Sequence, residues 1–578
     1  MEIFMTKLWG IPINFESGIQ SRSFHDDGDT RIIVNGDLLN IQDESSLISL
    51  YKTMGPDFIT RIDGSFTMSV QDRKKLILIR DRCGTKPLFY LKANNDIVFS
   101  SDIKAIIKSP YYSNRNVNLM SLNNFLSYGY IPHPETMFEG IRQVKPGHMI
   151  IWENGNLEEK PYWKFKYNPG THIKTEKEYT ETFLEILEGA VSRCMDKHPD
   201  AGAFLSGGLD TSSVVAMMHK LTEKPFKVFT AGFHEKKYNE IEDAKILSDH
   251  LSLDHYTTLI DFTDDFPDFL KELVRHHDEP FADTSAIPSY HVAKLAREHV
   301  GTVLTGDFPD QLIGGSGHQV MAMSKEQNDP IYKRLLRNKG LNSFVCALQM
   351  RAGSTSFLDK LKRALYRETF SLEEQRVLLN MPVPPQLKQC LYSKDLLEIN
   401  RRYDPLNIAR EIYKEVPNES LLNKILYFDI TSYAPDDLKT KVDRMCSANG
   451  LNAISPFHDL ELIEFIATIP VDMKIRGSNR KYIMREALRP FLPEHTLNKK
   501  KQGFAMPMAE WMVLKMSDFV QDLLFDAKTL NRGYFDKGFL KTMVTNYLNH
   551  KTDYATGSEA TIISLITLEL WHRLFIDG

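Results

Sequence analysis

The chain has 578 residues, of which 42% are hydrophobic and 25% are charged, an ordinary globular composition. At roughly 150 residues per domain, this length allows about two to four domains. Its 71 basic and 76 acidic side chains give a formal net charge of −5, which argues against nucleic acid as a partner because phosphate binding usually needs a basic excess.

The cysteines and the first residues indicate a reducing compartment. Five cysteines are far apart and form no CxxC pair, which disfavours a disulfide framework or a zinc ribbon. The N-terminus, MEIFMTKLWG, lacks the basic-then-apolar order of a signal peptide. No apolar run reaches the roughly 18 residues that a membrane span requires. We therefore expect a cytoplasmic protein without a membrane span.

The first 165 residues predict antiparallel β structure. Short apolar or alternating runs at 66–70, 76–79 and 149–152 are bounded by turn-forming residues. Among these, Asn154-Gly155 is a favoured type I′ pair. A helical period appears at 45–51 and again at 119–126.

From about residue 199, predicted strands alternate with predicted helices. The strands fall near 203–205, 227–230, 255–260 and 302–305, and the helices near 212–220, 241–250, 266–277 and 287–298. This alternation is typical of βαβ crossovers and a doubly wound parallel sheet. Beyond residue 320 the chain is mostly helical and ends in a helix near 562–575. The prediction is an α/β protein with domains at 1–165 and 166–578 and a boundary near Trp163.

The segment FLSGGLDTSS, residues 204–213, lies where a predicted strand passes into a helix. Its two glycines allow a tight turn and a close approach to an anion, and the following helix N-terminus favours phosphate. The hydroxyls of Ser206, Thr211 and Ser212 can donate to phosphate oxygens. Asp210 would repel phosphate unless a divalent cation lies between them, so it implies Mg²⁺.

A capped helix after a glycine turn is the structural alternative for this segment. The complete SGGLDTS at a strand-to-helix junction favours nucleotide binding instead, and the absence of GxxxxGK[ST] excludes a Walker-type site. The predicted nucleotide-binding residues of the loop are Ser206, Gly207, Gly208, Leu209, Asp210, Thr211 and Ser212.

SGGLDTS resembles the pyrophosphate loop of N-type ATP pyrophosphatases, and later segments resemble one branch of them, the asparagine synthetase and β-lactam synthetase family. These segments are DEPFAD at 278–283, LTGD at 304–307, VDRM at 442–445, SPF at 455–457, RKYIMREA at 480–487 and QGF at 502–504. Residues 35–37, 62–66 and 80–90 are similar, more loosely, to the glutaminase domain of asparagine synthetase. The resemblance implies a glutaminase-like antiparallel β sandwich with helices, followed by an ATP pyrophosphatase domain with a helical C-terminal part.

The resemblance also implies an ATP-dependent amide ligase that adenylates a carboxylate, releases pyrophosphate, and then couples the acyl group to an amine with loss of AMP. By motif match, Asp210 and Asp310 would hold Mg²⁺, and Lys481 would stabilise developing negative charge. Asp307 occupies the place of an acidic residue tied to amine deprotonation, although a simple loop role is an equal alternative. The backbone candidates for the adenosine cleft are Phe229, Leu304 and Gly306.

The family pattern is broken in both parts of the chain. Glutamine-dependent members use an N-terminal cysteine, exposed after methionine removal, whereas position 2 here is Glu2. We therefore expect a retained scaffold without glutaminase activity. In the stretch usually written GDGxDE the chain has Phe308 and Gln311, and Ile454 replaces the arginine of EVRxPF. These changes indicate a substrate other than aspartate, or neutral drift.

The expected function is intramolecular macrolactam formation on a peptide or amino-acid-derived carboxylate, as in lasso-peptide cyclases, with a leader-peptide-binding or protease partner. The alternatives are a β-lactam synthetase, an asparagine synthetase using free ammonia, and a catalytically silent nucleotide-binding relative. Retention of Ser206, Asp210, Asp310 and Lys481 argues against the silent relative. The lysine run at 499–501 is expected to be solvated, with an approach path for an anionic substrate as the alternative.

Overall fold

The computed structural model describes residues 4–5, 22–73, 75–113, 115–168, 175–222, 224–327, 365–500, 503, 505–549 and 558–578. Within these ranges, no helix combines the length and the apolar character needed to cross a bilayer. Glu2, Cys346, Lys501, Gln502 and Phe504 lie outside the described residues.

The N-terminal part contains two antiparallel sheets, as the sequence predicts. One has six strands in the order β10-β9-β5-β4-β3-β2, and the other has four in the order β1-β7-β6-β8. The strands are β1 Phe4–Met5, β2 Arg22–Asp26, β3 Thr30–Leu38, β4 Gly64–Asp72, β5 Lys75–Arg80, β6 Phe89–Ala93, β7 Asp96–Ser100, β8 Ile141–Gln143, β9 His148–Glu153 and β10 Asn156–Pro161. Asn154 and Gly155 join β9 to β10 with φ of 50° and 80°, as a type I′ turn requires.

Three helices accompany these sheets: α1 Ser46–Met54, α2 Ile103–Ile107 and α3 Leu119–Tyr128. α1 buries Leu47 and Tyr51 against the six-stranded sheet, because a four-residue spacing places both side chains on one helix face. α3 begins where the Asn118 side chain accepts hydrogen bonds from two backbone N–H groups and ends at the left-handed Gly129.

The following part is built on a five-stranded parallel sheet with the order β13-β12-β11-β14-β15. Its strands are β11 Gly202–Phe204, β12 Lys227–Phe233, β13 Asp254–Ile260, β14 Thr302–Leu304 and β15 Asn452–Ile454. The associated helices are α4 Glu176–Lys197, α5 Leu209–Leu221, α6 Ile241–His250, α7 Phe266–His277 and α8 Ala286–Arg297. The strand order reverses between β11 and β14, and in open α/β sheets ligands bind at the carboxyl ends of the strands at such a point.

The other regular elements of the described chain are helices and a short hairpin. The hairpin consists of β16 Ile475–Arg476 and β17 Asn479–Arg480. The helices are α9 Gly317–Gln327, α10 Leu372–Leu379, α11 Pro385–Leu391, α12 Lys394–Arg402, α13 Leu406–Lys414, α14 Leu421–Phe428, α15 Lys439–Ala448, α16 Leu460–Thr468, α17 Val471–Lys474, α18 Tyr482–Leu488, α19 Glu494–Asn498, α20 Met508–Leu514, α21 Ser517–Phe525, α22 Ala527–Leu530, α23 Lys537–Leu548 and α24 Glu559–Trp571. The terminal helix is packed, as predicted, with Ile562, Ile566 and Trp571 fully buried.

Three further segments of the described chain have a wider, π-helical winding: Asp310–Gly314, Asp429–Leu438 and His572–Ile576. Such turns are rare and frequently occur at functional sites. The first two contribute Asp310, Asp429 and Tyr433 to the wall of a large cavity at the switch point.

Candidate active site

A cavity of about 620 Å³ opens where β11 and β14 end. This volume lies in the range of small-molecule sites. The loop after β11 lines it, as do Gly306 and Asp307 after β14. The loop after β11 contributes Ser206, Gly208, Leu209, Asp210 and Thr211 to the wall.

Glycines permit the close backbone contacts on which this loop depends. Gly207 has a φ of +68°, and a Cβ there would lie 2.5 Å from the carbonyl carbon of Asp243. A Cβ on Gly306 would lie 2.5 Å from the backbone nitrogen of Thr211. The Thr211 hydroxyl accepts a hydrogen bond from the backbone N–H of Ser206 at 3.1 Å, which closes the turn from within. No larger residue fits at 207 or 306 without moving the loop.

Lys481 lies between the two predicted metal ligands, Asp210 and Asp310. Its ammonium group forms ion pairs with the carboxylates of Asp210 and Asp310, and its side chain is 4% exposed. A Cβ on Gly315 would lie 1.8 Å from Asp310 Oδ1, so only glycine leaves room for this cluster. Lys481 itself has a left-handed backbone with a φ of 52°, a conformation that costs roughly 1–2 kcal/mol in a non-glycine residue. Such strain clusters at functional sites.

Asp210 and Asp310 fit Mg²⁺ by the chemistry of their donor atoms. Their oxygens converge on one cation, the Lys481 ammonium. Mg²⁺ is commonly held by one or two carboxylates together with substrate phosphates. No group of three or more metal-binding side chains occurs in the described ranges, so a metal here would depend on phosphate oxygens as well. When bound, the metal would neutralise phosphate charge in competition with Lys481 for the same carboxylates.

A second cation beside the loop was not predicted. Lys499 donates to the Ser206 carbonyl oxygen and to Glu240 Oε1, both at 3.1 Å, and lies 2.9 Å from Asp243 Oδ2. Its side chain is only 9% exposed, so the expectation of a solvated residue is wrong at this position. Lys500 also lines the cavity. The sequence signal was the lysine run itself, but the acidic partners of Lys499 are more than 250 residues away.

The family departure at Phe308 preserves an unusual backbone. Phe308 has a φ of 93°, in the region that favours glycine, and glycine is the usual residue there in the resembling family. Its ring lies beneath the Lys439 ammonium at 3.6 Å and is buried, so aromatic packing accompanies the strained turn. Asp307 precedes it in the cavity wall. Burial raises the pKa of Asp307, against a hydrogen bond from Thr305 and the charge of Lys441.

Three of the predicted nucleotide-binding residues, Ser212, Leu304 and Gly207, do not line the cavity, whereas Phe229 does. Ser212 is fully buried and does not line the cavity, because it lies one residue, and so about 100°, around the helix from Thr211. Leu304 and Ile454 are likewise fully buried and outside the wall, and Gly207 is buried and outside it as well. The Phe229 ring stacks on Tyr256 and His299, which leaves only its backbone for a ligand. The Ile454 substitution therefore alters the core of the sheet, not the charge of the cavity wall.

The described cysteines are buried or half-buried thiols. Burial raises the pKa of Cys83 to about 11 and those of Cys194 and Cys446 further. Burial also raises the pKa of the half-buried Cys390. Since the thiolate is the nucleophile, none of these four cysteines is set up to attack glutamine.

The fold and the cavity define an α/β protein with a nucleotide-type cleft at a topological switch point. The asparagine synthase family model matches residues 182–573, and the glutamine amidotransferase domain model matches residues 24–163. Because the first match covers well over half of the chain, the protein belongs to the asparagine synthase family, whose members are ATP-dependent, amide-forming ligases.

Three curated relatives span nearly the whole chain. Glutamine-hydrolysing asparagine synthetase 1 of Bacillus subtilis is 25% identical over 98% of this chain and 88% of its own length. Asparagine synthetase 3 of the same organism is 24% identical over 90% and 84%. Amidase chry2 of Gibberella zeae is 23% identical over 95% and 88%. The matched relatives thus carry more than one functional name.

Proposed function

We propose that this protein adenylates a substrate carboxylate with ATP and then couples the acyl group to an amine without hydrolysing glutamine itself. The observation that carries the proposal is the convergence of Asp210, Asp310 and Lys481 beside the SGGLDTS loop, at the edge of a cavity large enough for substrates. A catalytically silent relative would have no need to retain this cluster in a strained conformation.

In the first half-reaction, a carboxylate oxygen attacks the α-phosphorus of ATP, and the bond to the β-phosphate oxygen breaks. The loop residues and the helix N-terminus at Leu209 would bind the departing pyrophosphate, with Asp210 and Asp310 holding Mg²⁺. Lys481 would then release its carboxylates to stabilise the negative charge that develops on the reacting oxygens.

In the second half-reaction, the amine nitrogen bonds to the acyl carbon, and the bond from that carbon to the AMP oxygen breaks. A nitrogen that begins as an ammonium group gives up two protons on the way to the amide. Asp307 lines the cavity and burial raises its pKa, which would make its carboxylate a better proton acceptor than an exposed aspartate.

The raised pKa values of the four described cysteine thiols support an amine source other than glutamine hydrolysis by these cysteines. Within the proposal, the carboxylate belongs to a peptide or amino-acid derivative, and macrolactam closure of the lasso-peptide type is the specific form we favour. β-Lactam formation and asparagine synthesis from ammonia are the alternatives. A protein partner that delivers the peptide is part of the macrolactam form.

The test incubates the purified chain with Mg-ATP and a panel of carboxylates, and it follows AMP, ADP and carboxylate-dependent pyrophosphate exchange. We expect AMP and pyrophosphate, with exchange reduced at least about 100-fold in Asp210→Asn. The matched control is Asp249→Asn, because that exposed carboxylate pairs only with Lys245 in the part of the chain described. ADP as the product, or undiminished exchange in Asp210→Asn, would contradict the proposal. Activity with aspartate and ammonium would select asparagine synthesis.

A further inference from the structure

A second cavity, of about 370 Å³, adjoins the first. Its wall combines residues 127–130 of the N-terminal part with residues 376–382 and the start of the last helix. Both cavities share the wall residues Asp283, Arg376, Asn380 and Tyr433. The two spaces are therefore neighbouring compartments of one cleft, and the N-terminal part contributes to the second.

Two ion pairs line this common wall, and beside them lies a buried acid, Asp437, on which the charge of Lys441 also acts. Arg376 pairs with Asp429 at 2.8 Å, and Lys441 pairs with Asp283 at 2.8 Å. Asp437, which lines the second cavity, is 7% exposed, and within the described ranges its Oδ1 atom has no hydrogen-bond partner. Buried carboxylates are costly unless a cation or hydrogen-bond donors compensate them.

We propose that the second cavity binds the amine substrate, held as an organic ammonium group by Asp437, while the nucleotide and the carboxylate occupy the first. This inference rests on the proposed function and names the substrate class of its second half-reaction. The aromatic rings of Tyr128, Phe428 and Tyr433 in the same wall offer apolar surface for a carbon skeleton and ring faces for a cation.

The size of the cavity selects an organic amine over ammonia. Ammonia is close in size to water, which takes roughly 30 Å³ in the liquid. A space of about 370 Å³ is more than ten times larger, and most of a bound ammonia molecule's surroundings would be unfilled. A side-chain or N-terminal amine of a larger molecule fills this volume and still reaches the common wall.

Burial raises the pKa of Asp437 well above its ordinary value, and the neighbouring Asp283 carboxyl adds to the effect. The charge of Lys441 opposes this shift. Because burial favours the uncharged form of the carboxyl group, we expect the isosteric, uncharged Asp437→Asn variant to fold.

The experiment measures binding of n-butylammonium chloride to the full chain by calorimetry, so that no turnover is required. We expect Asp437→Asn to weaken binding about tenfold or more, the loss of one charged hydrogen bond. Asp436→Asn is the matched control, because this adjacent buried acid bonds to His133 and does not line the cavity. n-Butanol, of similar shape without the charge, should bind far more weakly.

A second variant fills the space instead of changing its charge. Ala560 lines the cavity, so Ala560→Phe should also reduce n-butylammonium binding. Equal affinity in wild type and Asp437→Asn, no binding to wild type, or equal affinity for ammonium chloride would overturn the inference. Absence of pyrophosphate exchange in wild type would refute the proposed function while leaving the binding result intact. If the proposed function and this inference are both correct, the Asp437→Asn variant should retain pyrophosphate exchange and lose amide formation.

Discussion

Two regions with buried charged side chains differ in the space beside those charges. At the junction of the N-terminal and synthetase parts, Lys86 pairs with Asp443 at 2.7 Å next to a cavity of only about 20 Å³. In the cleft, Lys481 pairs with Asp210 and Asp310 beside a cavity of about 620 Å³. The first space holds little more than a water molecule, whereas the second admits a substrate.

Two buried charged residues near the junction are also held by several hydrogen bonds to protein atoms. Arg80 donates to the carbonyl oxygens of Lys86, Val144 and Gly84 at 2.9–3.0 Å. Asp81 accepts from the backbone N–H of Thr85 at 2.9 Å and from its hydroxyl at 2.6 Å. Charges held this way fix one arrangement, whereas open space adjoins Lys481, as the proposed exchange of carboxylates for substrate oxygens requires.

The largest expected effect is on stability at the junction. Asp443→Asn leaves the buried Lys86 ammonium without its counter-charge, and breaking a buried pair in this way costs about 3–5 kcal/mol. Urea unfolding should show this loss of unfolding free energy, and the activity per folded molecule should be unchanged. The double variant Lys86→Met/Asp443→Leu removes both charges and should recover most of the stability. A double variant as unstable as the single one would show that packing, not charge, governs the junction.

The next effect should appear in catalysis. Lys481→Met removes the positive charge that forms ion pairs with both Asp210 and Asp310. We expect amide formation to fall by about 10²–10³-fold, as for loss of one preorganised charge stabiliser. Lys474→Met is a matched control, because Lys474 is also fully buried but does not line the cavity. Similar losses in both variants would mean that Lys481 acts through stability.

Local patterns were enough to predict the framework of the site. The strand–glycine–helix order around Gly207 and Gly208 and the alternation of strands with helices predicted the parallel sheet and the loop at the end of one of its strands, but not the strand order. The type I′ turn at Asn154-Gly155 was predicted for the same reason, since two residues determine it. These features depend on neighbours in the chain.

Features that depend on distant partners were not predicted. Lys499 appeared solvated because its acidic partners, Glu240 and Asp243, come from another helix and its preceding residue. Ser212 appeared to face phosphate because a motif does not state which hydroxyl turns toward the core. The second cavity draws its wall from segments hundreds of residues apart, and no spacing in the sequence indicates it.

A last, pH-dependent effect tests the contrast by titration of a carboxyl group between the N-terminal and synthetase parts. Glu279 is half-buried there, and its Oε1 atom accepts a hydrogen bond from the backbone N–H of Met137 at 2.8 Å. Burial raises the pKa of Glu279 from 4.5 to about 8, with a hydrogen bond from Met137 and the charge of Arg444 opposing it and Asp278 and Asp436 adding to it.

Because the folded pKa of Glu279 lies above the unfolded one, its contribution to stability is complete below pH 4.5 and is lost as the pH rises through about 8. The free energy of unfolding of the wild type should therefore fall by up to about 1.4 kcal/mol per pH unit, relative to that of Glu279→Gln, between pH 5 and 8. Urea unfolding at pH 5, 6.5 and 8 gives this difference.

Two buried lysines, Lys388 and Lys474, have pKa values that burial lowers to about 7, so their contributions to stability have the opposite pH dependence. Both lysines are present in wild type and variant, so their contributions cancel in the difference. Glu272→Gln, the same change on the exposed face of α7, should show no such slope; a flat difference for Glu279→Gln would mean that water or rearrangement compensates the charge at the junction.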